Sequence, residues 1–217
     1  MIAVKTLNPG APDLRLGSAE ELAALRKQFD RQHCVRLRGL IQPPLLEQII
    51  NRVGEATFEE RRHGEIGSEE CMKSGTTLAM LLLMANDERL FDAIRTITGC
   101  GPIGCFDGRV YRLVPGTGHY DSWHSDMSDN RMIAMSVNLT PKPYDGGVLQ
   151  IRERDSDQIV HEEPAPDTGD AVIFRLAEEL RHRVTTVQGE VPRTAFAGWF
   201  KARPTLLSVV RGGDWSA

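Results

Sequence analysis

The sequence predicts a mainly β fold with helices, an α+β chain in which a mostly helical N-terminal region, residues 1–100, supports a jelly-roll or similar closed sandwich over 101–217. Three observations carry this. Helical periods with recognisable caps fill the first part; a breaker, Gly99-Cys100-Gly101-Pro102, ends them; and from about Ile103 to Ala202 short alternating or apolar runs recur between Gly, Pro and Asp turns. At 217 residues the two regions suit one compact domain.

The elements follow in order. Ser18-Ala19-Glu20-Glu21 is a capping box, with Leu22, Leu25 and Phe29 at helical spacing behind it, so a helix is expected to about Gln32. Val35 to Leu40 alternates apolar and basic residues as a strand does, and Pro43-Pro44 opens a helix through about Val53. Residues 61–75, polar and punctuated by glycine, read as a loop that is either a lid or a plain surface connection. Thr76 to Ala85 and Glu88 to Thr98 are two further helices.

Composition excludes several classes. A net charge of −4 and a pI near 5.9 lack the excess of cations that a general nucleic-acid binder needs. Cys34, Cys71, Cys100 and Cys105 show no C-x-x-C spacing, so neither a zinc ribbon nor a dithiol redox pair is expected. Residues Met1 to Gly10 contain no apolar signal region and the run around Leu78 to Met84 is too short to span a bilayer, so a cytoplasmic protein without a membrane partner is expected. No G-x-S-x-G elbow and no phosphate-binding loop is present.

The chemistry concentrates in Trp123-His124-Ser125-Asp126 and in His182. In an extended strand, residues i and i+2 share a face, so His124 and Asp126 can grip one ion together, with His182 as a third ligand. Two His and one carboxylate on one face of an octahedron describe an open non-haem Fe(II) site. The short motif does not select itself, since His119-Tyr120-Asp121 is also H-x-D and the chain has 6 His. If 119–126 is one extended run, Tyr120, Ser122, His124 and Asp126 share one face while His119 and Asp121 take the other, and only one pair faces inward. His119 follows the turn Pro115-Gly116-Thr117-Gly118 at once, which puts it near the start of such a strand.

Downstream, Arg193 offers a planar guanidinium that can fork onto a carboxylate, and alternation puts Ala195 and Ala197 on its face, leaving volume beside it, with Thr194, Phe196 and Phe200 opposite.

The flank of these residues resembles the double-stranded β-helix oxygenases that use Fe(II) and 2-oxoglutarate, in particular their prolyl-hydroxylase-like branch, over roughly the C-terminal half. The landmarks come in the family's order: the Pro115-Gly116 turn before His124 and Asp126, the strand Arg131 to Thr140, the turn and strand Tyr144-Asp145-Gly146-Gly147-Val148-Leu149, the strand Gly169 to Phe174, then His182-Arg183-Val184 and Arg193-Thr194-Ala195. The family's spacing from the Pro-Gly turn favours His124 over His119. Val114 stands where many relatives carry a tyrosine, and Ala195 where they often carry Ser or Thr.

The resemblance implies a double-stranded β-helix core with helical N-terminal support and an oxygenase using Fe(II), 2-oxoglutarate and O2. It implies His124, Asp126 and His182 as iron ligands and Arg193 as the anchor of the far carboxylate of 2-oxoglutarate. Asn138, on the strand lining that pocket in relatives, and Tyr120 are the further polar candidates, with Tyr111 nearby. The expected reaction hydroxylates an unactivated C–H of an amino acid, peptide or natural product, releasing succinate and CO2. Two other readings remain at this stage: a non-catalytic, cupin-like module that binds a small anion or metal, and a hydrolytic zinc site, for which Arg193 would have no task.

Overall fold

The computed structural model describes residues 18–128 and 130–203, so the chain start at Met1 to Gly10 lies outside the described residues. The elements are α1 (Ala19–Gln32), β1 (Cys34–Leu37), α2 (Pro43–Glu55), β2 (Phe58–His63), β3 (Gly67–Met72), α3 (Thr76–Ala85) and α4 (Glu88–Thr98). They continue with β4 (Cys105–Leu113), β5 (Tyr120–Asp121), β6 (Arg131–Asn138), β7 (Asp145–Gly146), β8 (Leu149–Glu153), β9 (Ile159–Glu163), β10 (Ala171–Arg175), β11 (Leu180–Val184), β12 (Val187–Gln188) and β13 (Arg193–Lys201).

Local chemistry sets the helix ends. Ser18 Oγ accepts from the Glu21 N–H while Glu21 Oε2 accepts from the Ser18 N–H, so α1 opens on a complete capping box. Asp87 caps α4 through the Arg89 N–H at 2.8 Å. The strand expected over Val35 to Leu40 is shorter, because the chain turns away at Gly39, whose N–H donates to Asp170 Oδ1 at 2.8 Å.

All but one of the strands in the larger sheet follow one path, β1-β10-β6-β13-β4-β3-β2, with β5 paired beside β3. A smaller sheet, β11-β8-β9, lies across from it, and β12 pairs with β7. Alternation gives the larger sheet two unlike faces. On one, Val110, Ile133, Met135, Val137, Phe196 and Phe200 pack against Phe29, Ile49, Leu81 and Ile94 of the helices. The other turns Arg109, Tyr111, Ser136, Arg193, Ala197 and Trp199 into a cavity of about 670 Å³ between the sheets. Strongly curled antiparallel strands in two sheets with helices on one outer face are the jelly-roll expected from the sequence.

Residues 61–75 are not a loop. They form most of the β2–β3 hairpin, paired from Phe58↔Met72 to His63↔Gly67. Strand β2 is a sheet edge with much of its surface in water, so it carries Glu59, Glu60, Arg61 and Arg62 without the apolar alternation that marks a half-buried strand. The hairpin's second strand pairs with β5 through Gly67↔Asp121 and Ser68↔Tyr120, and a Cβ at Gly67 would lie 2.6 Å from the Tyr120 carbonyl oxygen. Only glycine lets the two strands meet this closely, and the contact brings His63, Ile66 and Glu69 to the cavity wall.

Candidate active site

His182 sits in mid-strand on β11, and its backbone exchanges two hydrogen bonds with His124, at 3.1 Å and 3.0 Å. That bridge adds the His124 segment to the edge of the smaller sheet and sets the two rings 4.3 Å apart between centroids. Asp126 completes the group: its Oδ1 lies 3.5 Å from His124 Nε2 and its Oδ2 3.3 Å from His182 Nε2. The donor atoms of all three lie within 4.8 Å of one another.

The run 119–126 is not one extended strand. Only Tyr120–Asp121 is strand; the chain then bends, with the Ser122 N–H donating to the Ile66 carbonyl at 2.8 Å and Trp123 held between the guanidiniums of Arg152 and Arg183. One expectation changes with it, that for Asp121. His119 Nδ1 accepts the Val114 N–H at 3.0 Å across the turn, away from the cluster. Asp121 does not turn to the far face: its Oδ1 stands 3.4 Å from His124 Nδ1, and its Oδ2 accepts the Val184 N–H at 2.8 Å.

Those contacts orient the cluster. His124 Nδ1 lies 2.7 Å from the Ser122 carbonyl, which places a proton there and leaves Nε2 as the nitrogen facing Asp126. Trp199 Nε1 donates to Asp126 Oδ2 at 2.7 Å, and Arg131 stacks over the same indole at 3.6 Å. Burial would push the Asp126 carboxyl up, but hydrogen bonds from both imidazoles outweigh it and hold it well below the usual carboxylate range. Burial would lower His124, yet the Asp126 hydrogen bond and the nearby Asp121 raise it to about 9. The cluster thus favours positive charge between its imidazoles and carboxylates, which a divalent cation supplies as well as a proton does.

Farther along the cavity, Arg193 is buried at the start of β13. Its Nη1 donates to Tyr111 Oη at 2.5 Å and its Nη2 to Ser136 Oγ at 3.2 Å. Among the described residues no carboxylate pairs with it, its partners being these two hydroxyls, and burying an unpaired guanidinium is expensive. Burial pushes the Tyr111 phenol up against the pull of Arg193, so it stays neutral and keeps its own O–H to donate. The Ser136 hydroxyl likewise accepts from Arg193 and has a proton to spare. A guanidinium and two hydroxyl protons converging on one place describe the surroundings of a carboxylate. Gly147, at φ +64, makes room for this: a Cβ there would lie 2.9 Å from Arg193 Cδ and 2.6 Å from the Tyr144 ring. The buried Tyr144 hydroxyl, on that same side, has no hydrogen-bond partner among the described residues.

The other two polar candidates are placed differently. Tyr120 lines the mouth of the cavity and is 41% exposed. Asn138 does not line the cavity; its Nδ2 donates to the Pro166 carbonyl at 2.7 Å and its Oδ1 accepts the Thr140 N–H at 3.0 Å, so both ends of the amide are used in the loop beyond β6. Ser136, two residues earlier on the same face of β6, is the one that meets Arg193. The register shows why Tyr111 does too: it lies opposite Ala195, whose small side chain leaves the phenol room to reach diagonally to Arg193. Sequence reasoning placed Tyr111 nearby but had no means of pairing it with Arg193 before the strand register was known.

No curated protein matches the chain in sequence. The fold is shared with solved structures of low identity. A prolyl-4-hydroxylase from Pseudomonas putida has a TM-score of 0.61 and 21% identity, with 84% of this chain and 100% of that one covered. A prolyl hydroxylase from Trichoplax adhaerens, in complex with a hypoxia inducible factor oxygen degradation domain peptide, gives 0.60 and 13%, with 86% and 94% covered. The nogalamycin-biosynthesis epimerase SnoN, in complex with Fe3+, alpha ketoglutarate and nogalamycin RO, gives 0.62 and 13%, with 92% and 93% covered. A sequence profile described as the 2OG-Fe(II) oxygenase superfamily matches residues 108–201, the stretch that holds the His124 cluster, Tyr111 and Arg193. Over those residues, less than half of its length, the chain matches the 2OG-Fe(II) oxygenase superfamily, and its fold is that of the solved structures above.

Proposed function

We propose that His124, Asp126 and His182 hold the Fe(II), that Arg193 with Tyr111 and Ser136 holds the far carboxylate of 2-oxoglutarate, and that the chain hydroxylates an unactivated C–H of an amino acid, peptide or natural product. The observation that carries this reading is one cavity with a three-ligand cluster in its wall and, in the same wall, a buried guanidinium whose only hydrogen-bond partners among the described residues are hydroxyls. Bound there, Fe(II), 2-oxoglutarate and O2 supply an oxidant able to attack an unactivated C–H, with succinate and CO2 as co-products.

The chain's own part is to bind, orient and exclude water. Ser122 and Asp121 fix the His124 ring so that Nε2 points inward, and Trp199 fixes one Asp126 oxygen and so limits how the carboxylate can rotate. Tyr111 and Ser136 polarise toward the anion that Arg193 attracts, and the Tyr144 hydroxyl, buried beside Gly147 with no partner among the described residues, is a further donor for it. The presence of Asp126 as a third ligand favours hydroxylation over halogenation, which needs that position for a halide. Asn138 has no part in this site. Tyr120 stands at the mouth, where it meets substrate rather than 2-oxoglutarate.

Succinate formed from labelled 2-oxoglutarate with Fe(II) in air, together with bound iron per chain, tests the reading. Asp126→Ala abolishes both. Asp121→Asn lowers turnover, because the carboxylate behind His124 is lost, but leaves iron bound. An Asp121→Asn variant without iron beside an Asp126→Ala variant that retains it reverses the ligand assignment.

A further inference from the structure

The inner face of β4 and β13 forms a ladder in which small residues alternate with large polar ones. Tyr111 lies opposite Ala195, and Arg109 lies opposite Ala197. The Tyr111 ring therefore has a guanidinium on each side, with Arg193 Cζ and Arg109 Cζ each 5.4 Å from its centroid. Arg193 is the one assigned above to 2-oxoglutarate. Arg109 lines the same cavity, its side chain 17% exposed, and takes no part in the iron or 2-oxoglutarate sites described above.

Its setting is asymmetric. Arg109 Nε donates to Glu69 Oε1 at 2.6 Å, and that oxygen also receives Cys71 Sγ at 3.1 Å and faces His63 Nε2 at 2.9 Å. Glu69 thus anchors the guanidinium by its stem side from β3. The two terminal nitrogens, Nη1 and Nη2, donate to no acceptor among the described residues, although Arg109 lines the cavity. The far side of the guanidinium carbon stands 5.8 Å from the Trp199 ring, whose Nε1 holds the iron ligand Asp126. Two parallel N–H groups held rigid from behind match the two oxygens of a carboxylate.

The mouth of the same cavity is apolar. Ile66, Tyr120 and Met127 are 46%, 41% and 42% exposed there, and come from the β2–β3 hairpin, from β5 and from the segment just after Asp126. Large apolar side chains left in water around an opening suit an occupant that covers them.

We propose that Arg109 is a specificity-determining residue that takes the carboxylate of the primary substrate, and that this substrate is a small carboxylic acid with an apolar body lying toward Ile66, Tyr120 and Met127. The inference rests on the reading of Arg193 as the anchor of 2-oxoglutarate. One cavity then holds two carboxylate sites on either side of Tyr111, one for each organic reactant. Glu69 acts as a positioning residue: it fixes the plane of Arg109 and shields its Nε from the ligand. A dianion such as phosphate is disfavoured because Glu69 and Asp126 flank the site.

The test is a calorimetric titration, without oxygen, of the full chain loaded with Fe(II) and 2-oxoglutarate. The probes are two matched pairs, hexanoate with hexanamide and 4-phenylbutanoate with 4-phenylbutanamide. At least one acid should bind about 10-fold or more tightly than its amide, the size expected for charge-assisted hydrogen bonds in a half-dry site. Arg109→Gln should erase the difference and Arg109→Lys restore part of it. Equal binding of acid and amide by the wild-type chain, or binding of neither, overturns the proposal without recourse to any variant. Arg193→Gln is run alongside for 2-oxoglutarate binding. If that variant binds 2-oxoglutarate as the wild type does, the site reading fails; if it loses 2-oxoglutarate while acids and amides bind alike, only the Arg109 proposal falls. Loss of 2-oxoglutarate binding in Arg109→Gln instead would exchange the two arginines and overturn both assignments.

Discussion

The two faces of β13 are unlike each other. Toward the helices it presents Phe196 and Phe200, fully buried, with the Phe200 ring 4.9 Å from Phe106. Toward the cavity the same nine residues present Arg193, Ala197, Trp199 and Lys201. One face gains free energy by removing apolar surface from water; the other spends some of it on a buried guanidinium and on empty volume. Stability and function are therefore separable by residue parity on a single strand, and the comparison can be attacked from either side.

The largest expected effect comes from the helical face. Phe196→Ala removes a fully buried ring that meets Phe106 at 5.5 Å and should lower stability by roughly 3–5 kcal/mol in urea unfolding, while the surviving folded fraction still binds iron. On the opposite face Arg193→Leu should do the reverse, leaving the unfolding midpoint unchanged or raised while 2-oxoglutarate binding is lost, because a costly buried charge has been replaced by hydrocarbon. A large loss of stability in Arg193→Leu would mean that the cavity face also supports the fold, and the separation would not stand.

How much of this was legible depended on whether the signal was local. α1 was readable from Ser18 and Glu21 alone, because a capping box is complete within four residues. The alternation of Arg193 to Phe200 gave the two faces of β13 directly, since parity survives any register. The β2–β3 hairpin was missed because an edge strand in water needs no apolar face, and Arg61, Arg62, Ser68 and Glu69 look like loop residues until their partners are known. The pairing of Tyr111 with Arg193, the turning of Asn138 to Pro166, and the approach of Asp121 to His124 are all contacts between segments distant in sequence or separated by a bend. Spacing alone carries no information about them.

Acid should expose the next difference, on the wall opposite Phe196. Burial would raise the Glu69 carboxyl, but the Arg109 charge, with hydrogen bonds from His63 and Arg109, brings it down to about 2, against 4.5 for an ordinary glutamate. Between those values the unfolded chain binds the proton that the folded chain refuses, so Glu69 contributes its full stabilisation above pH 4.5 and loses it as the pH falls toward 2. The contribution is on the order of 3 kcal/mol at neutral pH. Urea unfolding of the wild type and of Glu69→Gln should therefore converge as the pH drops through that window; parallel curves would show that the Arg109–Glu69 pair is not what sets the acid limit.

The smallest predicted effect separates the two faces within one residue's reach. Trp199 shares the cavity face with Arg193, but it acts on the metal ligand rather than on an anion, donating Nε1–H to Asp126 Oδ2 at 2.7 Å. Trp199→Phe keeps most of the apolar bulk and removes only that donor. Loss of an outer hydrogen bond to a ligating carboxylate typically weakens metal binding by about 10–100-fold. The Fe(II) dissociation constant should rise by that amount while 2-oxoglutarate binding at saturating iron stays the same, since Tyr111, Ser136 and Arg193 are untouched. If 2-oxoglutarate binding falls as well, the cavity face acts as one coupled layer rather than as two independent sites.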